Sequence, residues 1–269
     1  MMITIFTIAG SAVYAAEIPV SDQDQLITSS DWTEISNLQD EMKKEEPDAT
    51  IDYDKALKVY VDCNLIKLQT ADTKKLTSAL ESANYVWVIP FKMEKTYGMF
   101  TVAKGLPLRE EAKSVLTKAE QEEVKNHAGK WMITETAEHT VEPYYDILLE
   151  KREALSDCTR VVLVGSQPGM RQPVALGMDD ETARIWISLG YQYPVMEKIP
   201  ETQNVESGVY SFESVADISD TYIEDSEVST GAGVQSRSSM KYVAGIGIIV
   251  IGSILILSVL KKKKIKSED

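Results

Sequence analysis

Tyr242–Leu260 (YVAGIGIIVIGSILILSVL) runs nineteen residues without a charge and is followed at once by Lys261, Lys262, Lys263 and Lys264. As a helix it would extend about 28 Å at 1.5 Å per residue, roughly the hydrocarbon thickness of a bilayer. A basic flank of this kind marks the cytoplasmic side of a membrane span. The expected layout is a single-pass type I cell-membrane protein. Residues 242–260 form its transmembrane helix and 261–269 its basic cytoplasmic tail, and the chain before Lys241 lies outside.

The other end agrees with that orientation. Met1–Ala16 is uncharged, and its apolar core Ile3–Ile8 is followed by small residues. Val13-Tyr14-Ala15 satisfies the small-x-small rule for cleavage after Ala15 or Ala16, so 1–16 is expected to be a signal peptide. It lacks a basic n-region, and a buried N-terminal strand is the competing structural reading. A second span is disfavoured, because sixteen residues fall short of the ~20 that a span needs.

Charge narrows the partners. Lys241 and the tail hold six of the 28 basic residues and two of the 42 acidic ones, which leaves the chain before the span at −18. A domain this acidic is repelled by nucleic acid and by anionic lipid. The membrane is therefore expected as a partner only through the single C-terminal span. Two cysteines, Cys63 and Cys158, are compatible with one disulfide in an exported domain or with two separate buried thiols.

Between the two ends the pattern mixes helices and strands. Residues 17–30 are polar and expected to be flexible. Asp31 with Glu34 reads as a helix start, and Trp32, Ile35, Leu38 and Met42 share one face. Lys58–Leu65 alternates, with Val59, Val61, Cys63 and Leu65 on one side. Asp72–Ala83 carries Leu76, Leu80 and Ala83 on a helical stripe. Tyr85–Lys92 is apolar on both faces and predicts a covered central strand, with Gly98–Lys104 as its hairpin mate. Arg109–His127 is helical with a capping box at Thr117–Glu120, and Gly129 is its stop. Trp131–His139 reads as a strand, a helix runs from Pro143 to Leu155, and three strands follow. The fold class predicted for 31–200 is α+β, with a mixed, largely antiparallel sheet packed with helices. Residues 201–241, rich in Ser, Thr, Asp and Glu, are expected to form an acidic stalk.

No motif in this domain carries catalysis, and no cofactor or metal is expected. Glu135, Glu138 and His139 are close in sequence, but the two glutamates fall on opposite faces of a strand. His127 sits at a helix C-terminus, where it complements the dipole. Gly165-Ser166-Gln167-Pro168-Gly169 is a Pro-Gly turn and not a nucleophile elbow. Asp48, Asp52 and Asp54, and Asp179-Asp180-Glu181, lack the spacing of a calcium loop. Trp186, Tyr191 and Tyr193 suggest a sugar platform, although tryptophans in strands are usually core.

The C-terminal pattern of apolar helix and basic tail resembles the sorting signal of Gram-positive sortase substrates. That signal carries Leu-Pro-x-Thr-Gly ahead of the helix, and here Glu227-Val228-Ser229-Thr230-Gly231 keeps Thr-Gly without Leu-Pro. A plain membrane anchor is the expectation, with Tyr242, Gly245, Gly252 and Lys261–Lys264 as its marks. Gly245 and Gly252 share a face on which another helix could pack. The functional expectation is an extracytoplasmic interaction, sensing or accessory module for an unknown protein or surface polymer. The alternative is a tethered hydrolase of wall polymer or peptide using Glu135, Glu138, His139 or Asp146. Protease applied to intact cells is expected to remove Glu17–Met240 and leave a fragment containing Tyr242–Asp269. Protection of the whole chain would contradict this layout.

Overall fold

The computed structural model describes residues 18–219 apart from 140, 141, 166, 171, 192, 194 and 201–203. The expected leader, the expected span with Gly245 and Gly252, Lys261–Lys264, Thr230-Gly231 and Ser166 lie outside the described residues. Among the described residues no helix is long and apolar enough to cross a membrane.

Among the described residues ten strands make one sheet: β1 (Thr50–Ile51), β2 (Leu57–Val61), β3 (Asn84–Lys92), β4 (Tyr97–Lys104), β5 (Trp131–His139), β6 (Arg160–Val164), β7 (Val174–Met178), β8 (Ala183–Ile187), β9 (Asn204–Glu206) and β10 (Val209–Ser211). Their order is β5-β4-β3-β2-β6-β7-β8-β10-β9, with β1 beside β3. Among the described strands every pairing is antiparallel except that of β2 with β6. The helices are α1 (Trp32–Ile35), α2 (Gln39–Glu45), α3 (Thr73–Glu81), α4 (Glu110–Lys113), α5 (Lys118–His127), α6 (Tyr144–Glu150) and α7 (212–219). The domain is α+β with a mixed, mostly antiparallel sheet, as the sequence pattern predicts.

Both faces of the sheet are covered, because successive strand residues point to opposite sides. On one face, Trp87, Ile89 and Phe91 of β3 pack with Phe100 and Val102 of β4 beneath Ile35 of α1 and Met42 of α2. Further along that face, Val162, Val164, Leu176 and Trp186 meet Leu76 and Leu80 of α3 and Phe212 and Val215 of α7. Tyr85 touches both groups. The opposite face holds Val59, Val161, Leu163, Ala175 and Ile187 beneath Tyr144 and Leu148 of α6. Asp72 caps α3 by accepting from the Lys75 amide at 3.1 Å, which starts the helix so that Leu76 and Leu80 share its buried side. β3 tolerates Pro90 in mid-strand because its carbonyl side faces the gap where the neighbour changes from β2 to β1. The Asp52 amide donates there to the Pro90 carbonyl at 2.9 Å.

The domain is larger at both ends than the sequence suggests. The expected flexible segment 17–30 is ordered wherever it is described, since Ile18, Val20 and Leu26 are buried. The Pro19 carbonyl accepts from the Val161 amide at 2.7 Å, and the Leu26 amide donates to the Ala56 carbonyl at 3.2 Å. The expected stalk also begins too early. β9, β10 and α7 belong to the domain: β10 pairs with β8, and Phe212 stacks on Trp186 at 5.6 Å. Val209, Phe212 and Val215 are three apolar residues scattered through a polar stretch, and in the fold all three are buried.

Asp24 has the most consequential position. β2 and β6 are paired only at Val59–Leu163 and Tyr60–Val164. At their diverging ends the N-terminal segment wedges in, with Val20 bridging to Val161 and Gln25 to Leu57. Asp24, 2% exposed, accepts from the Tyr60 hydroxyl at 2.7 Å, the Arg160 guanidinium at 3.0 Å and the Ser21 hydroxyl at 2.6 Å, and lies 3.8 Å from the Lys58 ammonium. Lys58 lies 4.5 Å from the Tyr85 ring centre and 5.3 Å from that of Trp87. Burial lowers its pKa, while Asp24 and Asp31 pull the other way. Asp24→Ala would leave two partly buried cations, Lys58 and Arg160, without the buried carboxylate they share. It is expected to destabilise the domain by about 3–5 kcal/mol in denaturant unfolding, whereas Glu122→Ala on exposed α5 should leave the midpoint unchanged.

Candidate functional site

β5 forms one end of the sheet, and the 106–129 segment that leads into it stands apart from the core. From Lys104 to Lys130, none of the residues whose exposure is described is buried. Val115 is 78% exposed and Leu106 41%. The segment is held together locally. Thr117 and Glu120 form a complete capping box at the start of α5. Lys125 pairs with Glu122 at 2.6 Å, and the Gln121 amide donates to the carbonyls of Lys113 and Leu116 at 3.0 and 2.9 Å. It is a small helical arm inserted in the β4–β5 connection.

Two glycines close its base. The Gly105 amide donates to the Lys130 carbonyl at 2.9 Å, and the Gly129 amide to the Gly105 carbonyl at 2.8 Å. A Cβ on Gly105 would come within 2.1 Å of the His127 carbonyl oxygen, so only glycine lets the two chains approach there. Gly129, at φ +75°, ends α5 in the left-handed conformation that the sequence predicts. Lys118–His127 carries only Ala119 and Val124 as apolar residues. That all-round polarity is the sequence signal for a helix that does not pack on the core.

β5 itself is regular on either side of a bulge. The register shifts between Thr101 and Val102, which leaves Thr134 as the extra residue, its hydroxyl donating to the Thr101 carbonyl at 3.1 Å. Glu135 is opposite Thr101 and Glu138 opposite Gly98. The two carboxylates are exposed and project from opposite faces, as the alternation predicts, so they cannot act on one bond. The Thr136 hydroxyl donates to Glu45 at the end of α2.

The other sequence-derived candidates are dispersed. Asp146 on α6 is 2.8 Å from the Lys55 ammonium, which also approaches Asp52 at 3.7 Å. Asp179 accepts from the amides of Glu181 and Thr182 at 2.8 and 2.6 Å and engages Arg184, so its acidic run is a hydrogen-bonded turn. Among the described residues no group of His, Cys, Asp and Glu is arranged to hold a metal ion. Trp87, Trp131, Trp186 and Tyr193 are buried. Burial raises the pKa of Tyr191 and Tyr193, and the Tyr193 hydroxyl donates to the Pro173 carbonyl at 2.5 Å. Trp186 and Tyr193 therefore belong to the core, and Tyr191 packs half-buried against it. Asp31 starts α1, but its carboxylate makes no cap; it accepts instead from the Tyr85 hydroxyl at 2.8 Å and the Trp87 indole at 3.0 Å.

The disulfide is not formed: Cys63 and Cys158 are both free thiols. Cys63 packs against the α3 side of the sheet and Cys158 belongs to the cluster on the α6 side. The alternation that aligns Val59 and Val61 with Cys63 breaks at Asp62, whose φ of +53° turns the chain and sends Cys63 to the other face. Cys63 lines an open hollow of about 360 Å³ with Asp62, Leu65, Leu68 and Ala83. Cys158 lies against Gly177, where a Cβ would come within 2.8 Å of its sulfur. Burial, with Asp62 adding to it, pushes the Cys63 thiol up to about 11; burial with Asp179 does the same for Cys158. Neither thiol is a ready nucleophile near neutrality.

Native protein is therefore expected to alkylate slowly at pH 7.5. The Cys63 rate should rise about tenfold per pH unit toward pH 11, as the thiolate fraction grows. Unfolded without reductant, each chain should titrate two thiols; a chain that titrates none would carry the bridge after all.

No family model matches the chain, and neither a curated protein nor a solved structure is found to match it.

Proposed function

We propose that the chain is a single-pass type I surface protein whose α+β domain recognises a partner outside the membrane. The uncharged run Tyr242–Leu260 with its four following lysines supports the anchor, and Met1–Ala16 supports export. One observation favours recognition over chemistry: the exposed arm at 106–129. A helical segment with no fully buried residue among those described gains little stability from its own domain, because most helical stability in proteins comes from tertiary packing. Such a segment is suited to packing against something else. The carboxylates available to a hydrolase are less favourably disposed, since Glu135 and Glu138 project from opposite faces and Asp146 is tied to Lys55.

The test is a photo-crosslinking residue placed at Val115 in the full-length chain on intact cells. A discrete adduct from position 115, absent when the same residue is placed at exposed Glu181, is the expected result. No adduct from position 115, or release of wall fragments that Glu135→Gln abolishes, would overturn the proposal.

A further inference from the structure

The outer margin of β5 is a candidate for a second contact of the recognition surface proposed above, and this inference rests on that reading. β5 is nine residues long, and among the described strands it is paired only with β4. Every second residue of an edge strand turns its amide and carbonyl outward, so β5 presents unpaired backbone groups along its outer margin. The opposite end of the sheet, β9, offers three residues. The bulge at Thr134 divides β5, and the regular stretch beyond it begins at Glu135.

That stretch is acidic on both sides. Glu135 and Glu138 are exposed on opposite faces, and the Thr136 hydroxyl holds Glu45 on the Glu138 face. Trp131–His139 contains no lysine or arginine. A second copy of β5 laid on this edge would gather both sets of carboxylates along one strip, which opposes self-pairing. A strand carrying cations would meet them instead, and the −18 charge of the chain before the span attracts such a segment from a distance. We infer that the 135–139 stretch of β5 takes an extended basic segment of a partner protein as an added strand, with lysine or arginine on both of its faces. Backbone pairing would supply the docking and the two glutamates its choice of partner.

The experiment uses the full chain in lipid nanodiscs and three fluorescent eight-residue probes of alternating valine and threonine. One carries two lysines, one carries two glutamates in their place, and one is the lysine peptide N-methylated at alternate residues. The lysine peptide is expected to bind and to slow amide exchange in 135–139 but not in β9. The glutamate and N-methylated peptides are expected to bind at least tenfold more weakly. Glu135→Lys with Glu138→Lys should reverse the preference between the lysine and glutamate probes. Equal binding of the N-methylated peptide, or an unchanged preference in the double variant, would overturn strand addition at this edge. Loss of peptide binding with the adduct from position 115 intact would sink only this inference. Absence of that adduct would sink the recognition reading itself.

Discussion

Everything in this domain depends on how one buried carboxylate joins the two halves of the sheet. β2–β5 and β6–β10 are antiparallel arrays that meet through two residue pairs of a parallel contact. That contact alone is short for a seam between two layers of core. Asp24 completes it, reaching Tyr60 and Lys58 on β2 and Arg160 on β6. A buried ion cluster is a weak source of net stability, because desolvation offsets most of the attraction. Its value here is geometric. One carboxylate satisfies groups on both strands only in one register, so sliding β2 against β6 would strand a charge in the core.

A neighbouring carboxylate follows the same logic. Asp31 abandons its helix cap to bind Tyr85 and Trp87, which with Tyr60 surround the Lys58 ammonium. Lys58 is held by ring faces and by Asp24, and a cation over aromatic faces is stabilised more strongly as water is removed. Two acids from the N-terminal segment therefore brace the sheet at its middle. The rings also carry the packing across one face, since Tyr85 touches both clusters there.

Much of this was legible where the chain obeys a period. α3 with Leu76 and Leu80, the capping box of α5, the covered strand β3 and the β3–β4 hairpin all follow from local spacing and turn chemistry. The failures have physical causes of their own. Ile18, Val20 and Leu26 have no periodic context, so their burial came from tertiary pairing that no local pattern encodes. Val209, Phe212 and Val215 were hidden by polar neighbours, although Phe212 and Val215 stand three apart as a helix requires. Between a bridge and two separate thiols the sequence left the choice open, and a single dihedral bears on it: the left-handed turn at Asp62 puts Cys63 on the sheet face away from Cys158. The arm was readable as a helix, and its lack of an apolar stripe was the sign that it would stand clear of the core.

The seam has a further consequence in time. The contact between Asp24 and Arg160 joins residues 136 positions apart, so the halves cannot lock until most of the domain has been synthesised. Closing so long a loop must precede the energetic return from the contacts it brings together, and chains dominated by distant pairings fold slowly. On the proposed export route this slowness has a use. A chain that folds quickly would jam a narrow translocation channel. Threaded N-terminus first on that route, the chain could not complete its central joint while Arg160 was still on the near side.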